Sequence, residues 1–214
     1  MLYIAKNSFR KMITAKTTKK LYTIAEYLEM EDRSEVRHEF QNGNLLEMAG
    51  GIVPHNVIKL RLGGKLDQIL EPEKWPHMVL NSDTKVRIEA ANRFVYPDLT
   101  ISDGTPEYYT TPEGKTRRDI ITNPLVIIEV LSNDTRQYDK GEKYELYCSV
   151  PGFSEYILIE PETIWAKSYY LQDPDNNLWR HDTLTERTET LRIRSLDIGI
   201  SLDSIYSVLD KLQK

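Results

Sequence analysis

The chain has 214 residues, 40% of them hydrophobic and 29% charged, an ordinary globular composition with length enough for one domain and a sizeable core. A formal net charge of −5 argues against a long non-specific grip on nucleic acid, which needs many phosphate contacts. No apolar run approaches the length of a membrane span, so no helical span is expected.

Residues 1–20, MLYIAKNSFRKMITAKTTKK, are basic and lack the apolar stretch of a signal peptide. Their lack of acids also suits a transit peptide, but the expectation is a flexible, solvated tail ahead of a single domain over residues 21–214. This tail and the triplet Lys115, Arg117 and Arg118 are the candidates for a local basic patch; solvated charge is the plainer reading. Thr23 and Glu26 have the spacing of a capping box that starts a helix running to about Glu31. In HEFQNGNLLEM, Asn42 and Gly43 give a strong two-residue hairpin signal. The hairpin carries Glu39 on one strand and Glu47 on the other, and strand glutamates ordinarily face water.

Gly50 and Gly51 interrupt the sheet, and Pro54 suits a first helical turn. Val57, Ile58, Leu60, Leu62, Leu66, Ile69 and Leu70 recur at helical spacing, which predicts an amphipathic helix from about Pro54 to Leu70. His55, in its first turn, either binds a phosphate or carboxylate or is a partly exposed capping histidine. Strands are expected over residues 75–80 and 84–89, with Asn81, Ser82 and Asp83 as the turn. Residues 94–102 read as a strand carrying Asp98. Because Pro97 cannot donate to a ladder, that part of the strand must lie at an edge or an end. Residues 105–123 show no periodicity and read as a long loop, either a lid or a plain excursion.

The most informative stretch is PLVIIEVLSNDTRQYDKGEKYELY, residues 124–147. Its opening apolar run fits a strand buried on both faces. Glu129 stands in the middle of that run, and a buried carboxylate must be neutral, paired or on a metal. A helix from about Asp139 to Val150 would carry Asp139, Lys143 and Tyr147 at i, i+4 and i+8, close to one face. The single cysteine, Cys148, excludes an internal disulfide framework and suits a reducing cytoplasm; a buried thiol explains it better than a nucleophile. Strands follow near 154–160, 164–171, 178–182 and 190–193, then a helix over 202–212. The order predicts an α+β or α/β domain, with a central mixed sheet flanked by helices and an N-terminal hairpin.

Two acids on two central strands and a lysine on the next helix meet the needs of phosphodiester hydrolysis. A hard cation bridges carboxylates to an anionic substrate. It also lowers the pKa of a bound water. A lysine nearby orients the nucleophile or stabilises developing charge. The plainer alternative is that Asp98 caps a turn and Glu129 pairs with a buried arginine or with Lys143.

The blocks VYPDLTIS, PLVIIEVLSNDT, DKGEKYELY and VPGFSEYILIE resemble the Uma-type restriction endonuclease-like family, a branch of the PD-(D/E)XK nuclease superfamily common in cyanobacteria. TIAEYLEM, RHEFQNGNLLEMAGG and LDIGISLDSIY resemble it too, so the likeness runs from about Leu21 onward. It implies a restriction endonuclease-like core, Asp98 and Glu129 as metal ligands, Mg²⁺ or Mn²⁺, and DNA as substrate. One departure is plain: the motif's lysine position falls on Leu131. The resemblance moves that role to Lys143 on the following helix, with Lys140 as the neighbour off the shared face. It also implies that Glu39 stands near the site; Asp83 and His55 are weaker candidates.

The expectation is thus a Mg²⁺-dependent DNA endonuclease using Asp98, Glu129, Lys143 and Glu39. The alternatives are a catalytically silent binding protein on the same fold, or an accessory subunit that needs a partner. A homodimer suits a cut in both strands of a duplex. RNA and branched DNA remain open as substrates.

Overall fold

A computed structural model describes residues 20–48, 50–70, 76–133 and 135–212. The expected tail over residues 1–20 lies outside these apart from Lys20. Helix α1 (Ile24–Glu31) starts where expected, with both halves of the Thr23–Glu26 capping box made. Strands β1 (His38–Gln41) and β2 (Asn44–Glu47) form the hairpin, and Asn42 and Gly43 both take positive φ, as its tight turn requires. Helix α2 (Val53–Ile69) follows, with Pro54 in its first turn. Its buried face is His55, Ile58, Leu62 and Leu66, while Leu60 points to solvent. A Cβ on Gly63 would stand 3.1 Å from Leu99, so glycine lets this helix lie close to the sheet beneath.

Strands β3 (Val79–Asn81), β4 (Lys85–Ile88), β5 (Arg93–Val95) and β6 (Leu99–Ser102) come next. The strand expected over 94–102 is therefore two strands, broken at Tyr96–Asp98 around the proline that cannot join a ladder. The expected loop over 105–123 is corrected as well: it holds β7 (Tyr108–Thr110) and β8 (Thr116–Ile121). Arg117 of the basic triplet is buried there, bonded to Asp32 and Asp119 (2.6 and 2.8 Å), and is not part of a patch.

Strand β9 (Pro124–Val130) is buried at every residue. The helix expected from Asp139 is two short ones, α3 (Arg136–Lys140) and α4 (Glu142–Cys148), joined at Gly141. Strands β10 (Glu155–Ile159), β11 (Ala166–Asp173), β12 (Leu178–Leu184) and β13 (Thr190–Ile193) match their expected places. Strand β14 (Ile198–Ser201), not foreseen, pairs with β13, and α5 (Leu202–Tyr206) stops short before a separate turn of 3₁₀ helix.

The fold is α+β with mixed sheets flanked by helices, but among the described residues there are two six-stranded sheets where one was expected. One runs β2-β1-β5-β4-β8-β7, the other β12-β11-β10-β9-β6-β3, and β13-β14 stand apart as a ribbon. Strand alternation decides the layers. Phe40, Phe94 and Ile120 face α1 on the outside of the first sheet. Val86, Ile88 and Val95 face inward, against Ile127, Leu131, Tyr156 and Leu158 of the second sheet. On that sheet's far side, Val126, Ile128 and Val130 pack under α2, α5 and the ribbon.

Consecutive strands β5 and β6 lie in different sheets, so Tyr96–Asp98 is where the chain passes from one to the other. Strand β9 runs antiparallel beside β6 and parallel beside β10, and α3 and α4 make the crossover between β9 and β10.

Candidate active site

Strand alternation places the first carboxylate. Glu129 follows Ile127 and precedes Leu131 on the face of β9 turned toward the first sheet. It is only 4% exposed. Antiparallel register puts Leu99 opposite Ile128, so Asp98 comes beside Glu129 at the next step outward. Two bonds fix the pair: the Asp98 N–H donates to Glu129 Oε2 (3.3 Å), and the Val130 N–H donates to Asp98 Oδ2 (2.9 Å).

The crossover helix supplies the cation. Despite the break at Gly141, Asp139, Lys143 and Tyr147 all point inward. Lys143 Nζ lies 2.7 Å from Glu129 Oε1, 3.4 Å from Asp139 Oδ1 and 3.7 Å from Glu39 Oε1. The Tyr147 hydroxyl donates to Glu129 Oε1 at 3.3 Å. Thr135 donates to the other Asp139 oxygen at 2.5 Å. Glu39 comes from the first sheet, on the face of β1 opposite Phe40, and accepts the Tyr96 N–H at 3.3 Å. Its Oε2 is buried without a hydrogen-bond partner.

His55 is buried and holds Asp98 Oδ2 through Nε2 at 3.1 Å, so the exposed capping role is corrected. A Cβ on Gly51 would fall 2.6 Å from the His55 ring, and glycine there leaves the imidazole its place. Lys59, four residues on, reaches Asp98 Oδ1 at 3.3 Å. Glu39, His55, Lys59, Asp98, Glu129, Asp139 and Lys143 line one cavity of about 580 Å³, with Arg37, Glu47, Ser82 and Tyr138 also in its wall.

Electrostatics follow from crowding. Burial first, then Asp139 and Asp98, push the Glu129 carboxyl up to about 8, against the pull of Lys143. Burial works against the Lys143 charge, but Glu129 and the neighbouring acids hold its pKa well above the ordinary value. The two shifts pull opposite ways on one pair. The 2.7 Å contact favours the ionised form of both, and the upward push on Glu129 comes from its burial first and from the neighbouring carboxylates second. Burial also raises Asp98, yet His55, Lys59 and the Val130 N–H bring it below the usual carboxylate range. For His55, burial lowers the pKa, and the bond and charge of Asp98 more than reverse that. Burial pushes the Cys148 thiol up to about 11, as suits an inert thiol.

The structure thus brings together all four expected residues, Asp98, Glu129, Lys143 and Glu39. It leaves out Lys140, which faces Glu160 and the Trp165 ring. Asp83 is outside the cavity wall and pairs with Arg37, which is part of it. Sequence reasoning undervalued His55 and passed over Lys59. The usable signal was phase: His55 is in register with Ile58, Leu62 and Leu66, and Lys59 is one turn beyond it.

The carboxylate donors are all oxygen, and two of their buried oxygens, Glu39 Oε2 and Asp139 Oδ1, have no hydrogen-bond partner, which suits a hard divalent cation. Among the described residues no three His, Cys, Asp or Glu side chains converge on a ready-made metal position. The oxygens turn instead to Lys143, Lys59 and His55.

The Uma2 family model, described as "Putative restriction endonuclease", matches residues 24–204. The uncharacterized protein slr1290 of Synechocystis sp. is 28% identical over 181 residues, 85% of this chain and 89% of that protein. A second Synechocystis protein, sll1609, also uncharacterized, is 30% identical over 143 residues, 67% of this chain and 77% of its own length. A crystal structure of a "putative nuclease belonging to DUF820" from Anabaena variabilis shares the fold, with a TM-score of 0.68 at 16% identity, over 88% of this chain and 99% of that one. The match across most of the chain, with the blocks around Asp98, Glu129 and Lys143 inside it, makes this chain a member of the Uma2 family.

Proposed function

We propose that the chain is a divalent-metal-dependent nuclease that hydrolyses phosphodiester bonds in DNA, working as a single domain over residues 21–214. One observation carries the reading: Asp98 and Glu129 meet side by side across β6 and β9, with the Lys143 ammonium 2.7 Å from Glu129 in an otherwise buried wall. Family membership supports the reaction class.

Asp98 and Glu129 would hold the Mg²⁺ or Mn²⁺, and the unpartnered Oε2 of Glu39 would offer a further oxygen. A bound ion of this kind supplies an activated water and neutralises charge on the phosphoryl oxygens. Lys143 donates hydrogen bonds to the attacking water and fixes its line of approach. Tyr147 and Asp139 hold that ammonium and the Glu129 carboxylate in place. Glu129 first, with Glu39 and Asp139 behind it, keeps the lysine protonated. A homodimer in the cytoplasm, where Cys148 stays reduced, would cut both strands.

The test is plasmid nicking in Mg²⁺ and in Mn²⁺ by wild type and Glu129→Ala. Wild type should convert supercoiled plasmid to open-circular or linear form, and the variant should lose at least a hundredfold in rate. Wild type that leaves plasmid intact with either ion, as monomer or dimer, speaks against the reading. A second reading, a binding protein that keeps the nuclease fold, is favoured by one observation: Lys143, Lys59 and His55 already satisfy most of the carboxylate oxygens. Calorimetric titration with Mn²⁺ separates the two, because a pure binding protein has no use for the ion at Asp98 and Glu129.

A further inference from the structure

Phosphate is repelled by Glu39, Asp98, Glu129 and Asp139, so a nuclease cavity needs a cation free to meet it. The cavity wall holds four candidates: Arg37, His55, Lys59 and Lys143. Lys143 is 5% exposed and closed in by three carboxylates. Arg37 is tied to Asp83 and to the Ser82 carbonyl. His55 is buried against Asp98. Lys59 differs in combining access to solvent with a place on a proposed metal ligand; Arg37 is more exposed, at 47%, but its carboxylate partner is Asp83. Its side chain is 23% exposed, and its ammonium lies 3.3 Å from both Asp98 Oδ1 and Ser82 Oγ. Asp98 has other partners, since Oδ2 already accepts from Val130 and His55.

We propose that Lys59 is the substrate-phosphate contact of this cavity, parked on Asp98 and released toward the substrate when a divalent cation takes that carboxylate. The inference rests on the nuclease reading above. A divalent ion on Asp98 repels an ammonium held on the same carboxyl group. The flexible four-carbon stem of lysine lets that ammonium swing while helix α2 stays still. The phosphate is then gripped from the α2 side, and metal and substrate bind cooperatively.

The test compares wild type, Lys59→Met and Lys59→Arg as full chains, with folding checked by circular dichroism. Methionine keeps the length of the apolar stem. Mn²⁺ affinity is measured by calorimetry without nucleic acid. Affinity for a short fluorescein-labelled DNA duplex is measured by anisotropy in Ca²⁺ over a salt series. Lys59→Met should bind Mn²⁺ several-fold more tightly, because a competing cation is gone. It should bind the duplex roughly tenfold more weakly, with a salt slope smaller by about one. Lys59→Arg should keep most of the duplex affinity. If Mn²⁺ tightens but duplex affinity and salt slope match wild type, Lys59 is only a counter-ion of Asp98 and the inference is overturned. If Mn²⁺ binding weakens, Lys59 supports the metal position, and the inference fails in the other direction. A wild type that binds neither Mn²⁺ nor duplex overturns the nuclease reading itself, and the inference with it.

Discussion

At the scale of single residues, the site is one ammonium under more negative charge than it can neutralise. Removing that ammonium leaves Glu129, Glu39 and Asp139 buried without their shared cation. Lys143→Met should therefore destabilise the fold by about 3–5 kcal/mol, read from denaturant unfolding. The double variant Lys143→Met, Glu129→Gln should lose less than the two single losses added, by roughly 1–3 kcal/mol. Strict additivity would show that Lys143 and Glu129 do not act on one another. Glu129 was legible in the sequence because a carboxylate in a β-branched run is an anomaly with few physical solutions. Lys143 was legible from its helical phase with Asp139 and Tyr147. Lys59 was not, since its partner is set by where α2 docks on β6, and no local pattern encodes that.

At the scale of elements, periodic and strongly punctuated segments read correctly: the capped α1, the Asn-Gly hairpin, α2 and the all-apolar β9. Strand β8 was missed because a charged residue takes a buried position. Arg117 is made tolerable there by Asp32 and Asp119, so the apolar alternation fails. Strand β14, no shorter than β13, was missed because Gly199 inside it reads as a break, and its ribbon is held from below by another buried acid. Glu155 on β10 accepts the Arg194 N–H at 2.6 Å and the Ser195 hydroxyl at 3.4 Å. Burial outweighs those donors and pushes its carboxyl up to about 7 from an ordinary 4.5. A raised folded pKa means the native state binds the proton more tightly than the unfolded chain. The contribution is full below about pH 4.5 and is lost as pH rises through about 7. Glu155→Gln should flatten the stability profile across that window and exceed wild type near pH 8 by on the order of 1–3 kcal/mol. Parallel profiles for the two proteins would contradict this account of Glu155.

At the scale of the whole molecule, the sequence announced a mixed sheet with helices but not its division in two. Pro97 was legible as the end of a ladder; that the chain changes sheets there depends on partners far away in sequence. The division bears on the proposed metal position. Donors from both sheets come together only in the native fold, so Mn²⁺ at a hundred times its Kd should stabilise wild type by about 2.7 kcal/mol. For a chain of this length that is a rise in Tm of roughly 5–10 °C. Asp98→Asn should abolish the rise, and an equal rise in that variant would put the ion elsewhere.

The passage of the chain through Tyr96–Asp98 carries a last consequence. Glu39 belongs to one sheet, Glu129 to the other, and Asp98 sits on the seam between them. A small slip of one layer over the other would pull the three carboxylates out of alignment while leaving every strand intact. Gentle warming should then silence the protein before its secondary structure melts, with the two layers acting as jaws whose bite, rather than whose teeth, fails first.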